Sequence, residues 1–224
     1  MRKRVWFTLL AATLFFSCEH SIPSGEASAQ PVPVNAGLPS CNAPSVQRTE
    51  NSGNPPAARR FEVTDPVIPS GWMGDGEEGT NYVQVNPVCR EKPHSGRVCF
   101  RWTYKPGPQG WAAVAWQYPE SNWGQRPGKN MSGFTRVTFW VRGQRGGERL
   151  VFKAGGHTKL SAAYPASFEA DTNLVELTTD WRRYSISLEG KDLSNTICFL
   201  VWVATANQNP DGLVFFIDDI YYEK

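Results

Sequence analysis

The residues best suited to chemistry in this 224-residue chain are aromatic. Trp111, Trp116, Tyr118, Trp123 and Trp140 crowd one stretch, with Arg142 and Lys153 close behind. Within it, Trp116-Gln-Tyr-Pro-Glu-Ser-Asn-Trp-Gly124 sets two Trp and a Tyr among Gln117, Glu120 and Asn122. A sugar ring presents apolar C–H faces edged by hydroxyls. Flat aromatic platforms rimmed by amide, carboxylate and guanidinium groups are what such a ligand needs. The competing use of a large aromatic is core packing. Trp123, placed among Gly, Pro and Asn, leans towards binding more than the others do.

A second constellation closes the chain, Phe215-Phe-Ile-Asp-Asp-Ile-Tyr-Tyr222. Consecutive acids in an apolar strand are costly to bury unless a cation or hydrogen bonds compensate. Strand alternation sends Asp218 and Asp219 to opposite faces, and Glu62 joins them if the domain's ends meet. A structural calcium needs several such oxygens; an acid that caps a loop by hydrogen bonds alone is the equal alternative. Nothing marks a catalytic centre. His94 and His157 have no Ser or Cys partner in any motif, and Glu120, Glu169, Asp171 and Glu176 show no spacing that identifies a glycosidase pair. A non-enzyme is expected.

The elements that must position these groups are strands. From Arg59 onward, short apolar runs are broken by Gly, Pro, Asn and Asp without a helical period. The pattern predicts strands near 60–63, 81–86, 98–104, 111–118, 136–142, 149–154, 173–176, 182–187, 197–204 and 214–222. Gly143-Gln-Arg-Gly-Gly147 fits a hairpin turn that needs positive φ. Period two puts Val137, Phe139 and Val141 on a core face and Thr138, Trp140 and Arg142 on the other; Phe152 points in and Lys153 out. Many strands with no long helix between them give an all-β fold, an antiparallel β-sandwich. The Cys…Trp…Cys spacing of immunoglobulin domains is missing, so a jelly roll is preferred.

The first residues point to export. Arg2, Lys3 and Arg4 precede the apolar run Val5–Phe16, too short to span a bilayer, as in a signal peptide over 1–17. Phe15-Phe-Ser-Cys18 resembles a bacterial lipobox, which implies lipidation of Cys18. Glu19 after it resembles the pattern of lipoproteins sent to an outer membrane. Residues 18–58 hold no Phe, Trp or Tyr and many prolines, and are expected to be a disordered tether. The domain proper is expected over 59–224 and holds eight of the nine tryptophans, enough for one sizeable core. Export allows disulfides. Cys89 and Cys99 flank a polar turn and are expected to pair, while Cys198 is expected as a buried thiol and Cys41 falls in the tether. Net charge is +2 with both signs interspersed, which leaves no basic face for nucleic acid.

With those residues in view, Phe61-Glu62 and Phe216-Ile-Asp-Asp-Ile-Tyr-Tyr-Glu223 resemble the two ends of galactose-binding-like, carbohydrate-binding-module β-sandwiches. Thr138-Phe-Trp-Val-Arg-Gly143 and Leu177-Thr-Thr-Asp-Trp-Arg-Arg-Tyr-Ser-Ile-Ser-Leu188 resemble internal strands of the same superfamily. The resemblance covers nearly all of 59–224. It implies that a structural calcium would use Glu62 and Asp218, with Asp219 as the fallback. The combined expectation is a monomeric, lipid-anchored, non-catalytic protein that binds a polysaccharide and touches the membrane through its lipid alone. The alternatives are an envelope protein-interaction module and a glycan hydrolase.

Overall fold

β-Branched and aromatic side chains pack well on a pleated surface buried on one side, and the alternating runs of this chain form strands for that reason. A computed structural model describes residues 59–65, 67–77, 80–156 and 161–224. The expected signal peptide, Cys18, Cys41, the tether and His157 lie outside the described residues. Within them the chain forms β1 (Arg60–Glu62), β2 (Ile68–Gly74), β3 (Val83–Cys89), β4 (Cys99–Tyr104), β5 (Trp111–Gln117) and β6 (Arg136–Gly143). There follow β7 (Arg149–Gly155), β8 (Glu169–Glu176), β9 (Arg182–Ser187), β10 (Cys198–Thr205) and β11 (Leu213–Glu223). One sheet runs β3-β4-β11-β6-β9, with β1 also on β11; the other runs β2-β5-β10-β7-β8. Every pairing is antiparallel. The fold is an all-β antiparallel sandwich of two sheets.

Alternation supplies the core. Val137, Phe139 and Val141 from β6 and Phe152 from β7 point inward, as their period of two predicts, and Trp202 from β10 joins them. Trp102 sits at the centre, edge-on to Trp116 at 5.6 Å and to Trp202 at 5.3 Å. Phe152 bridges the sheets, 4.8 Å from Phe139 and 6.2 Å from Phe215. Interlocked rings of this kind add about 0.5–1.5 kcal/mol per pair beyond the area they bury.

Three features depart from expectation. Gly143–Gly147 is a crossover and not a hairpin, because β6 and β7 belong to different sheets. Gly146 and Gly147 do take φ of 80° and 84°, and buried Glu148 fixes the crossover by accepting the N–H groups of Gln144 and Arg145 at 2.9 and 2.8 Å. Turn glycines carry the same signal for either geometry. Strand β2 went unpredicted because Pro69, Gly71 and Gly74 read as breakers. It survives as an edge strand with a bulge between Pro69 and Gly71, and a Cβ on Gly71 would meet the Gln117 side chain at 2.6 Å. Finally, Cys89 and Cys99 are directly opposed in register, yet both are free thiols, which corrects the expected disulfide. The Cys99 thiol is turned onto the carbonyl of Cys89, at 3.7 Å. Burial, then the Cys89 thiol beside it, pushes Cys99 up to about 12. Cys198 is a buried free thiol, likewise pushed up to about 12 by burial.

If Phe152 joins the two sheets, Phe152→Ala will lower the unfolding free energy by about 3–5 kcal/mol. The check is the urea midpoint at unchanged m-value. A loss below about 1 kcal/mol would contradict this packing.

Candidate functional site

The two outer faces of the sandwich differ, and the difference begins in β11. Between Asp218 and Tyr221 this strand spends one residue more than its partner β6, since Asp218 faces Trp140 and Tyr221 faces Thr138. The bulge changes the phase of the strand. Ile217 and Ile220 both enter the core, and Asp218 and Asp219, the latter with φ of 50°, both serve the same outer side. The expectation that they would part to opposite faces fails here, because simple alternation has no place for an extra residue.

Both acids hold the β3–β4 loop down. Asp218 Oδ2 accepts the backbone N–H groups of His94 and Ser95 at 3.0 and 3.2 Å. Asp219 Oδ1 accepts the Ser95 hydroxyl at 2.8 Å, and its Oδ2 lies 2.6 Å from His94 Nδ1. The His94 ring stacks on Trp140 at 3.8 Å. Trp181 donates its indole N–H to Lys92 O at 2.9 Å. Arg142, expected at the rim of a sugar site, is buried with its guanidinium 3.6 Å from the Phe216 ring and donates to Glu91 O at 2.8 Å. The loop thus covers Trp140 and Arg142, and both anchor the loop.

The same geometry decides how well calcium fits. Burial raises the Asp218 carboxyl above its usual range, against the pull of the Ser95 and His94 N–H groups. For Asp219 burial acts in the same upward sense, but the bonds from His94 and Ser95 outweigh it and the carboxyl lies below its usual range. A calcium ion needs converging oxygens; around these carboxylates converge N–H and O–H donors. Glu62 is engaged by the Thr64 hydroxyl at 3.0 Å. Among the described residues no group of three or more His, Cys, Asp or Glu side chains is placed to hold a metal. Glu62, Asp218 and Asp219 do not fit the ion that the family resemblance implies.

The outer face of the second sheet has no such cover from the β3–β4 loop. Registers align Met73, Ala113, Val203, Val151 and Leu174 as one row across β2, β5, β10, β7 and β8. Leu174 is 50% exposed. The next row runs Gly71, Ala115, Val201, Lys153 and Asp171, and Lys153 pairs with Glu169 at 2.6 Å. On the other side of the apolar row stands Trp111, 37% exposed. Its seat is Gly74 (φ 65°), where a Cβ would come within 2.9 Å of the indole. Gly71 is buried, and Ala113, Ala115 and Val201, each at most 1% exposed, form a small buried cluster with Ile197 and Cys198 against which Met73 and Val203 pack.

Of the aromatic platforms predicted from sequence, this face gathers one. Trp111 and Lys153 belong to it. Trp116 is fully buried against Phe100 and Trp102, which corrects its place among the ligand residues. Tyr118 and Trp123 lie past the far end of β5, roughly 20 Å along the strand from Trp111 at the usual rise. Tyr118 packs on the core beneath Lys129, 5.4 Å above its ring, and half-buried Trp123 donates its backbone N–H to the Gln125 side-chain carbonyl. Met73, Val151, Val203 and Leu174 were missed. Period two in β7 carried the signal for Val151, but only the register shows the row.

His94 is the test of the closed face. His94→Ala will speed amide exchange at Ser95 by about tenfold or more, as loss of about 1.5 kcal/mol of charged hydrogen bonding implies, and will increase acrylamide quenching of Trp140. Unchanged exchange at Ser95 would contradict the anchoring.

No known protein family and no curated protein matches this sequence. Among solved structures the chain is similar to the family 30 carbohydrate-binding module of a cellulosomal cellulase of Clostridium thermocellum. That match has 16% identity over 73% of this chain and 96% of that one, with a TM-score of 0.50. It is also similar to the family 11 module of another cellulosomal cellulase of that organism (11% identity, 74% and 94% covered, TM-score 0.48). A third is the xylan-binding domain CBM22-1 of Paenibacillus barcinonensis (10%, 74% and 92%, TM-score 0.44). At these identities the likeness concerns the fold: this chain carries a β-sandwich of the kind found in carbohydrate-binding modules.

Proposed function

We propose that the chain is a non-catalytic polysaccharide-binding protein, and that an extended sugar chain lies across the outer face of the second sheet. The observation that carries this is the apolar row Met73–Ala113–Val203–Val151–Leu174, which reaches the surface at Met73, Val203, Val151 and Leu174 and is buried at Ala113. Five strands set about 4.8 Å apart make a strip about 19 Å long, room for several sugar rings. Apolar side chains below and polar groups alongside match a ring's C–H face and hydroxyl rim. Trp111 supplies the aromatic platform; Lys153, Glu169 and Asp171 supply the polar edge. Three of the four carboxylates weighed for catalysis are otherwise engaged. Glu169 pairs with Lys153, Glu176 with Arg149 at 2.9 Å, and Asp171 accepts the N–H of Asn173 at 2.7 Å.

Residues 1–17 direct export, Cys18 takes the lipid, and 18–58 tether the sandwich to an envelope membrane.

Affinity electrophoresis through gels holding xylan, mannan or mixed-linkage β-glucan tests the function. At least one polymer will retard the protein, and Trp111→Ala will weaken that binding by about tenfold, the equivalent of about 1.4 kcal/mol of stacking, with an unchanged melting temperature. No retardation by any of the three would sink the reading.

A further inference from the structure

The outer face of the first sheet, next to the closed loop, carries a charge arrangement that stability does not explain. In one row Arg60 on β1, Glu223 on β11 and Arg136 on β6 stand side by side. Arg183, on β9, reaches into the same place. Arg183 Nη2 and Arg136 Nε lie 2.7 and 3.2 Å from one oxygen, Glu223 Oε2, and Arg60 Nε lies 3.7 Å from the other. Three guanidinium groups therefore share a single carboxylate, and among the described residues none of them pairs with a second one. Against these three positive charges stand Glu223 and, beside the same Tyr221 that Arg60 covers, Glu62, which leaves a local surplus of +1. The arginine side chains are about half exposed, at 52%, 47% and 49%, while Glu223 is 13% exposed. Exposed ion pairs contribute little to stability, so the surplus is available to something else.

The surroundings say what that is. Arg136, Thr138, Arg183 and Ser185 line a surface cavity of about 390 Å³. The Arg60 guanidinium lies over the Tyr221 ring at 3.2 Å, which orients it towards the same cluster. Guanidinium forks match planar or tetrahedral oxyanions. The central carboxylate discriminates among anions. It repels a densely charged phosphate chain, but it accepts hydrogen bonds from sugar hydroxyls, as does exposed Ser185. An acidic sugar offers both an anionic group and hydroxyl donors.

We propose that Arg60, Arg136 and Arg183 form a second binding site, for the carboxylate or sulfate ester of an acidic polysaccharide. The choice of polymer rests on the polysaccharide reading given above; the anion site itself does not. It lies on the opposite sheet from Trp111 and works independently of it.

Calorimetry on the full chain distinguishes the cases, with trigalacturonate as the carboxylate probe, a heparin tetrasaccharide as the sulfate probe, cellotetraose as the neutral control and tripolyphosphate as the competing polyanion. One or both acidic sugars will bind at low salt, and which of them does identifies the anionic group. Arg183→Gln will weaken that binding by about tenfold or more, Glu223→Gln will tighten it severalfold, and Trp111→Ala will leave it unchanged. Arg136→Gln repeats the test should Arg183→Gln melt early. Failure of cellotetraose bears on the second-sheet face alone. Binding of neither acidic sugar, indifference to both arginine substitutions, or equal binding of tripolyphosphate would overturn the proposal.

Discussion

One extra residue in β11 organises both outer faces of this sandwich. A strand that alternated without interruption would send Ile220 out if Ile217 pointed in. The bulge at Asp218-Asp219 lets both isoleucines reach the core. It also turns both acids to one side, where burial would be costly without partners. The β3–β4 loop supplies those partners as backbone N–H groups, a hydroxyl and an imidazole. Beyond the bulge, the restored alternation puts Tyr221 and Glu223 outward, and these two hold the arginines.

The consequence is a division of labour between sheets. Over the first sheet the loop occupies Trp140 and Arg142, leaving the arginine cluster as its accessible polar feature. The second sheet keeps a continuous row of small and medium apolar side chains, flanked by Trp111 and by charged groups. For the proposed sugar chain, the exposed members of this row offer contacts across the strands at the spacing of the sheet itself. Lateral continuity of this kind depends on register, because a slip of one residue in any strand would replace its outward member with a core one.

Much of this was legible in the chain and some was not. Period two found the inward faces of β6 and β7, since one more deeply buried side leaves an alternating trace, while β10, apolar on both faces, gave none. Gly and Pro hid β2, because the residues that break an isolated strand also permit a bulged edge. Trp116 was misplaced for a general reason: an indole suits a core and a sugar equally well, and composition cannot tell which face of β5 meets the other sheet. The acids of β11 were noticed as costly, yet their partners lie more than a hundred residues away in a polar loop without any motif. The arginine cluster was invisible for the same reason, since its members are drawn from four strands.

The central claim is that the second sheet, not the first, receives a neutral glycan. The direct measurement is amide chemical-shift mapping of the labelled protein titrated with xylohexaose, mannohexaose and cellohexaose. The account predicts that at least one of these shifts the amides of Trp111, Ala113, Val151 and Val203 while Ser95 and Trp140 stay still. Shifts centred on residues 90–98 and Trp140, with the second sheet unmoved, would contradict it.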